Sequence, residues 1–402
     1  MRRLRIPEYR TRAFSPLDPA DARALAATGV VGVSADLSGR TLLTTGSNVG
    51  VLTAGDVQLT VTPKLGIGRL MWLLGYAANP DGWRHSERVN ISDADDLVPA
   101  MAVSFLDAVN DAFAHGVLQG YHTREESSPV LRGRLREGDQ IRRRFGFPVP
   151  VDIRYDDYDI DISENRIILA ATLKLLRLPG VPPRTRAGLR HIIAQLSDVT
   201  VITGGAPSLP TDDGRRTRHY RPAIDLSRII LGGHSIEQRA GPILATGFVF
   251  DLNVVFEQWL TAVMRNALRP YGGTLTGQWP DHLDTSAAVH VKPDLVWHHA
   301  RRPALVADAK YKDLGSGLPA TPDLYQLLAY ATMLGLPSAH LIYASGSAAP
   351  RSYIIRNAGI TIHTWSLDLS KPIAVLLADL DDLVSRLIET TAARGFTARA
   401  SA

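Results

Sequence analysis

Residues 1 to about 65 carry strand signals. Thr41-Leu42-Leu43-Thr44-Thr45 and Val57-Gln58-Leu59-Thr60-Val61-Thr62 are rich in β-branched residues, and the second alternates apolar with polar. Gly46, Gly50, Gly55 and Pro63 bound them, and Gly50-Val51-Leu52-Thr53 reads as a further short strand. The period then lengthens. Ile67–Ala77 and Ala94–Ala114 predict helices. In the second, Leu97, Met101, Phe105, Val109 and Phe113 recur every fourth residue and share a face, with Asp93 as the expected N-cap.

From 117 to 161 strands and turns return. Arg132, Arg134, Arg136, Arg142, Arg143 and Arg144, interrupted by Gly133 and Gly138, read as a basic hairpin, either solvated or facing phosphate or an acidic partner. The run Asp152 to Asp161 lacks the glycine and terminal glutamate of a calcium-binding EF-hand loop and reads as strand edge plus helix cap. Asp161 with Glu164 predicts a capping box for a helix through Leu176. Pro179, Pro182 and Pro183 break it, and a second helix runs over Thr185–Leu196. Residues 203–221, with Arg215, Arg216, Arg218 and Arg221, read as a loop or linker. Beyond 245 the order is a helix over Phe248–Leu268, strands at Thr274–Trp279, Ala288–Trp297 and Ala304–Tyr311, and a helix over Pro322–Leu334 capped by Thr321. Strands at His340–Tyr343 and Ile360–Thr364 and a helix from Pro372 to Ala392 complete it. The expected domains are 1–115, β-rich then helical; 116–240, a middle strand and helix region; and 241–402, a compact α/β domain.

Composition narrows the chemistry. The chain has no cysteine, which removes disulfides, thiolate nucleophiles and cysteine-held zinc or iron–sulfur centres. A net charge of +4 implies no bulk attraction to polyanions, so any basic surface has to come from clustering. No run of 18 apolar residues predicts a membrane span, and the basic start Met1-Arg2-Arg3-Leu4-Arg5 lacks the apolar segment of a signal peptide. A cytoplasmic location is the expectation. Six of the 44 basic residues are lysine, and Lys292, Lys310 and Lys312 are three of them. In a chain that otherwise writes arginine, a lysine marks a place that needs a compact ammonium, with nucleotide bias as the alternative.

The sharpest pattern lies here. Pro293-Asp294 opens one apolar strand, and Ala304-Leu305-Val306-Ala307 leads into Asp308-Ala309-Lys310 on the next. Neighbouring strands would set Asp294 beside Asp308, and two bare carboxylates repel unless a cation joins them. Oxygen ligands favour Mg²⁺ or Mn²⁺. Lys310, two positions from Asp308, points to the same face and can stabilise charge on a phosphate. Together these groups fit phosphodiester hydrolysis by metal-activated water. An edge-strand salt bridge of Asp308 with Lys310 or Lys312 is the structural alternative. Glu257, an acid in the apolar stretch Val254–Leu260, either joins the site or faces solvent. Gln326 and Tyr330, four apart on one helix, either join it or serve as surface and core. His282, His290, His298 and His299 sit in or beside a loop, where convergence on a metal is not expected.

Pro293-Asp294…Asp308-Ala309-Lys310 resembles the PD-(D/E)xK nuclease signature, and Glu257 with Gln326-x-x-x-Tyr330 resembles its RecB-like branch. Asp308-Ala309-Lys310-Tyr311-Lys312 is the form typical of McrC, the nuclease subunit of McrBC-type modification-dependent restriction systems. Val57–Leu65 with Thr62-Pro63-Lys64, the helix with Trp72, Leu73, Leu74 and Tyr76, Leu131-Arg132-Gly133-Arg134, Glu164–Leu169 and Phe256-Glu257 extend the resemblance along the chain. It implies an α/β fold with a mixed α+β N-terminal part and a C-terminal restriction-endonuclease-like domain, a central mixed sheet flanked by helices. It implies a catalytic set of Glu257, Asp294, Asp308, Lys310, Gln326 and Tyr330. Mg²⁺ or Mn²⁺ would be held by Asp294, Asp308, Glu257 and the backbone carbonyl of Ala309. It also implies an McrB-like AAA+ GTPase ring as partner, bound through the N-terminal region with Pro63 and Lys64 as contacts. The substrate would be double-stranded DNA bearing modified cytosine. Consistently, no Gly-x-x-x-x-Gly-Lys-Ser/Thr occurs, so this chain is not the P-loop NTPase itself. The other readings are a nuclease-fold activator of the partner's NTPase, with cutting secondary or lost, and a stand-alone RecB-like repair nuclease.

Overall fold

The computed structural model describes residues 1–83, 96–145, 147–202, 209–211, 214, 217–240, 243–312, 318–344 and 349–392. Asp93, Arg215 and Arg216 lie outside them. The chain divides into two compact units, Met1–Asn90 with His234–Ala402, and Ile91–Gly233.

The first unit holds two larger sheets. One is built from β1 (Arg2–Pro7), β2 (Asn48–Ala54), β3 (Val57–Thr62), β4 (His234–Ala240) and β5 (Ile243–Asp251) in the order β1-β3-β2-β5-β4. β1 runs parallel to β3, and β5 pairs antiparallel with β2 from Ala245 opposite Ala54 to Asp251 opposite Asn48. At Gly50, φ is +142° and a Cβ would fall 2.1 Å from the Phe248 carbonyl oxygen, so only glycine lets β5 approach there. This sheet joins residues that the sequence reading assigns to different domains. The division therefore falls at 90/91 and 233/234, whereas the expected boundaries were 115/116 and 240/241. It also takes Phe248–Asp251 out of the expected helix. That aromatic run is an inner strand, and the Asp251 carboxylate caps the following helix by accepting from the Asn253 N–H at 2.9 Å.

The other sheet contains β6 (Thr274–Gly277), β7 (Leu295–His299), β8 (Arg302–Lys310), β9 (Ser338–Tyr343), β10 (Arg351–Ile354) and β11 (Thr361–Ser366), ordered β6-β7-β8-β9-β11-β10. β7 is antiparallel to β8, whereas β8, β9 and β11 are mutually parallel. Every residue of β9 is buried, as a strand covered on both faces requires. Among the unit's helices, α1 (Ile67–Ala78) packs on α2 (Leu252–Ala267), with the Trp72 and Trp259 rings 5.9 Å apart. α2 also touches β6 and β8. α3 (Thr321–Leu334) covers the face carrying Val306, Leu341 and Tyr343, and α4 (Ile373–Ala392) packs on α2 and β8. α3 is capped by Ala320, one residue before the expected Thr321. The expected strand Ala288–Trp297 is broken into His290–Val291 and β7 by Lys292-Pro293-Asp294.

The second unit packs helices Leu97–Phe113, Ser163–Arg177, Pro183–Gln195 and Arg221–Gly232 and a three-stranded sheet. Two expectations change. The arginine segment is not all hairpin, because Glu137–Arg144 forms a helix. Asp161 is no cap either. Ile162 takes that position, and the Asp161 carboxylate instead accepts from Arg166 at 2.7 and 2.9 Å, from Thr200 N at 2.8 Å and from Thr200 Oγ1 at 2.7 Å. A guanidinium and two further donors outcompete the helix end.

Candidate active site

The antiparallel ladder of β7 and β8 has Leu295 opposite Ala307 at its end. Asp294 and Asp308 are the next residues on each strand, which sets them side by side. Beyond that pair, β8 has lost β7 as a neighbour. The Ala309 N–H donates instead to Asp294 Oδ2 at 2.9 Å. Asp308 is 1 % exposed. Apart from the Lys310 ammonium, 2.5 Å from Oδ2, neither of its carboxylate oxygens has a partner. Lys310 also donates to Gln326 Oε1 at 3.1 Å, and Gln326 Nε2 donates to Tyr330 Oη at 2.8 Å. Tyr330 is buried against β7, β8 and β9, while Gln326 stays exposed. β8 is a central strand, so of the structural alternative the edge placement fails while the Asp308–Lys310 ion pair itself is present. Lys312 pairs with Asp323 at 2.6 Å.

Glu257 comes from α2, half-buried, and accepts from Gln278 Nε2. The same amide nitrogen lies 3.3 Å from Asp294 Oδ1, and the Gln278 backbone N–H donates to the Asp294 carbonyl at 2.8 Å. Gln278 follows β6 with φ at +53°, a left-handed conformation that a long side chain adopts at a cost of about 1–3 kcal/mol. The structure thus joins Asp294, Asp308 and Lys310 directly, Gln326 and Tyr330 through Lys310, and Glu257 through Gln278. Gln278 was missed because a glutamine after a short strand has no distinguishing spacing.

Negative charge is in excess here. Burial first, then the charge of Asp308, pushes the Asp294 carboxyl well above its ordinary range. Burial also raises Glu257, with the Gln278 amide opposing and Asp308 reinforcing. Burial alone would lower Lys310, but Asp308 holds it above the usual ammonium value. Among the described residues, no three His, Cys, Asp or Glu side chains form a metal-holding group by themselves. The Asp308 carboxylate, with Oδ1 unpartnered and Oδ2 met only by Lys310, nonetheless fits a hard divalent cation beside Asp294, which would relieve the repulsion and occupy the free lone pairs.

The remaining candidates separate from this site. The His282 and His290 rings pair at 4.6 Å, His298 lies against Trp279, and His299 lies against Trp297. Arg132 stacks on Tyr155 and pairs with Asp157, while Arg136 and Arg142 both hold Asp139. The Lys64 side chain is exposed, with its ammonium 5.5 Å from the Tyr9 ring centre, and Pro63 precedes it at the end of β3. Among the described residues no helix is long and apolar enough to cross a membrane.

The model of the family described as McrBC 5-methylcytosine restriction system component matches residues 43–344, about three quarters of the chain. The chain belongs to this family. No curated protein matches it. The McrBC-family chain is similar in structure to one in a refined half-complex from a tetradecameric assembly of Thermococcus gammatolerans McrB AAA+ hexamers with bound McrC. The TM-score is 0.56 at 15% identity, covering 95% of this chain and 100% of that one. Similarity to a chain of the Thermococcus gammatolerans McrBC complex, solved by cryo-EM, reaches a TM-score of only 0.39 at 16% identity, over 66% of this chain and 88% of that one. The first likeness gives this McrBC-family chain a shared fold, with matching extent in both chains.

Proposed function

We propose that this chain is the Mg²⁺- or Mn²⁺-dependent DNA endonuclease subunit of a GTP-dependent restriction complex directed to modified cytosine. We further propose that it stimulates the NTPase of an McrB-like AAA+ ring. The observation that carries this reading is the buried Asp308 carboxylate, whose oxygens have no donor but the Lys310 ammonium, set beside Asp294. The six-stranded mixed sheet with its packed helices supports a PD-(D/E)xK domain within the expected 241–402, without Ile243–Asp251, which belongs to the other sheet. Family membership and the McrB-bound structural neighbour support the partner and its double-stranded DNA substrate.

Asp294 and Asp308 would hold the metal, with the Ala309 carbonyl and Glu257 completing it. A bound Mg²⁺ or Mn²⁺ supplies Lewis acidity and a hydroxide-like water at neutral pH. The chain's own groups do the rest. The Lys310 ammonium stabilises charge developing on the attacked phosphate. Gln326, anchored by Tyr330, accepts a Lys310 hydrogen and fixes where the ammonium points. Gln278 keeps Glu257 and Asp294 facing one another despite their repulsion. The test is purification with the McrB-like partner, then cleavage of methylated and unmethylated DNA with GTP and Mg²⁺. GTP hydrolysis stimulated in full with no cleavage of either DNA would favour the activator reading instead.

A further inference from the structure

Residues 8 and 9 have contacts that the proposed chemistry leaves unexplained. Glu8 is 0 % exposed, just past the end of β1. One of its oxygens, Oε1, accepts from the Lys64 backbone N–H at 2.7 Å and from the Tyr311 hydroxyl at 3.0 Å. Tyr9 makes a parallel pair of contacts. Its hydroxyl donates to the Tyr311 carbonyl at 3.1 Å, and its ring sits under the Lys64 ammonium. Tyr9 holds φ at +50°, a strained conformation for a bulky residue that persists only where surroundings impose it. Tyr311 directly follows Lys310. Two adjacent residues therefore grip the exit of β8 and the turn after β3, across more than 300 positions of sequence.

A buried carboxylate is a costly way to join two backbones. Burial pushes Glu8 up, with the Lys64 N–H and Tyr311 hydroxyl pulling against it, and its second oxygen has no partner. A neutral or apolar side chain would fill the space at less cost, so the acceptor itself matters. What it fixes is the end of the strand that presents Asp308 and Lys310. A displacement of about 1 Å there is worth up to about 10²-fold in rate.

We propose that Glu8 is a positioning residue that, with Tyr9, clamps the exit of the Asp308–Lys310 strand to the Pro63–Lys64 turn. A contact at that turn then bears directly on the geometry of the site. This rests on the nuclease reading above. The experiment uses the full chain with its AAA+ partner and compares Tyr311→Phe, Glu8→Ala and Glu8→Gln. Tyr311→Phe and Glu8→Ala should lower kcat about tenfold with KM for DNA unchanged. Glu8→Gln, which keeps an acceptor oxygen, should stay within about threefold of wild type. Amide hydrogen exchange of the chain alone is the second readout. In Glu8→Ala, protection should fall at 309–312 and at 64–66 together, with β9 and β11 unchanged. Tyr311→Phe loses one hydroxyl and keeps the test alive if Glu8→Ala does not fold. Unaltered exchange at 309–312 or unaltered kcat in Tyr311→Phe would overturn the clamp, and so would a Glu8→Gln as damaged as Glu8→Ala. A wild-type complex that cuts no DNA would instead sink the nuclease reading, and the exchange arm would still decide the clamp.

Discussion

Two charged regions of this chain differ in how their charge is satisfied. Around Asp161 every negative oxygen has donors: Arg166 grips both, and Thr200 adds its N–H and hydroxyl. Nearby, Arg124 pairs with Asp157 and Asp159, and Arg136 and Arg142 with Asp139. Around Asp308, three acids share one lysine, one glutamine amide and one backbone N–H, and the most buried of the three is the least bonded. Evolution removes such deficits unless something else meets them. Charge density alone therefore locates nothing, whereas an unmet acceptor at 1 % exposure beside two further acids does.

The comparison breaks first at Asp308 and Lys310. Alanine at either should reduce DNA cleavage by about 10²–10³-fold or more, with circular dichroism and partner binding intact, since on the proposed reading Asp308 holds the metal and Lys310 meets charge developing on the phosphate. Lys310→Arg should fail as well, because a planar fork cannot replace a point charge. Wild-type cleavage by the Lys310→Ala complex would dismiss this assignment. The metal requirement is the next largest effect. Mg²⁺ and Mn²⁺ should support cutting and EDTA abolish it. Ca²⁺ should bind without supporting it, because its looser coordination misplaces the water. Full activity in EDTA would show that the Asp294–Asp308 pair holds no metal.

Much of this was legible before any coordinates. An apolar strand ending in Asp308-Ala309-Lys310 and a Pro293-Asp294 strand start already imply two carboxylates across one ladder, because strands consecutive in sequence commonly pair and period two then sets which face each side chain takes. Gln326 and Tyr330 follow from helical spacing in the same way. What stayed hidden is long-range. The Phe248–Asp251 end of β5 reads as helix because it runs straight into α2, and only pairing with β2 decides its conformation. Gln278 and Glu8 act through single hydrogen bonds to distant residues, which leave no periodic trace. The Asp161 capping box failed for a related reason, since no local pattern announces Thr200.

A stability measurement sharpens the contrast. Removing Asp161, as Asp161→Asn, should cost about 2 kcal/mol by urea unfolding and leave metal-dependent cleavage unchanged. Although burial would raise the Asp161 carboxyl, Arg166 and Thr200 hold it well below the ordinary range. Its folded pKa is thus below the unfolded value of about 4, so this contribution is present above about pH 4 and is lost as pH falls further. The variant should show a flatter acid limb. Asp294→Asn should do the opposite. It keeps an acceptor for the Ala309 N–H, and burial and Asp308 push this carboxyl up, so its charge costs stability only above its raised titration range. There the metal-free variant should gain about 1 kcal/mol, the gain fading as pH falls and the native carboxyl protonates, while cleavage collapses. Equal destabilisation of both variants would erase the distinction between the two regions.

The smallest expected effect separates Lys64's backbone from its side chain. The backbone N–H holds Glu8, and Lys64→Ala leaves that bond in place. The ammonium lies over the Tyr9 ring on an exposed turn, a contact worth about 0.5–1 kcal/mol at most. The chain's stability should therefore barely change, and metal binding at Asp294 and Asp308 should not change at all. If the Pro63–Lys64 turn meets the AAA+ ring, the loss appears in the partner instead, as GTP hydrolysis stimulated several-fold less when the variant is titrated in. Deleting residues 1–115 is the wrong instrument for this question. It removes β1, β3 and β2, the last being the strand β5 pairs with, and with them Glu8. For the same reason a 240–402 fragment lacks its neighbouring strands. The single side-chain truncation is the clean test, and stimulation by Lys64→Ala equal to wild type would move the partner contact elsewhere on the chain.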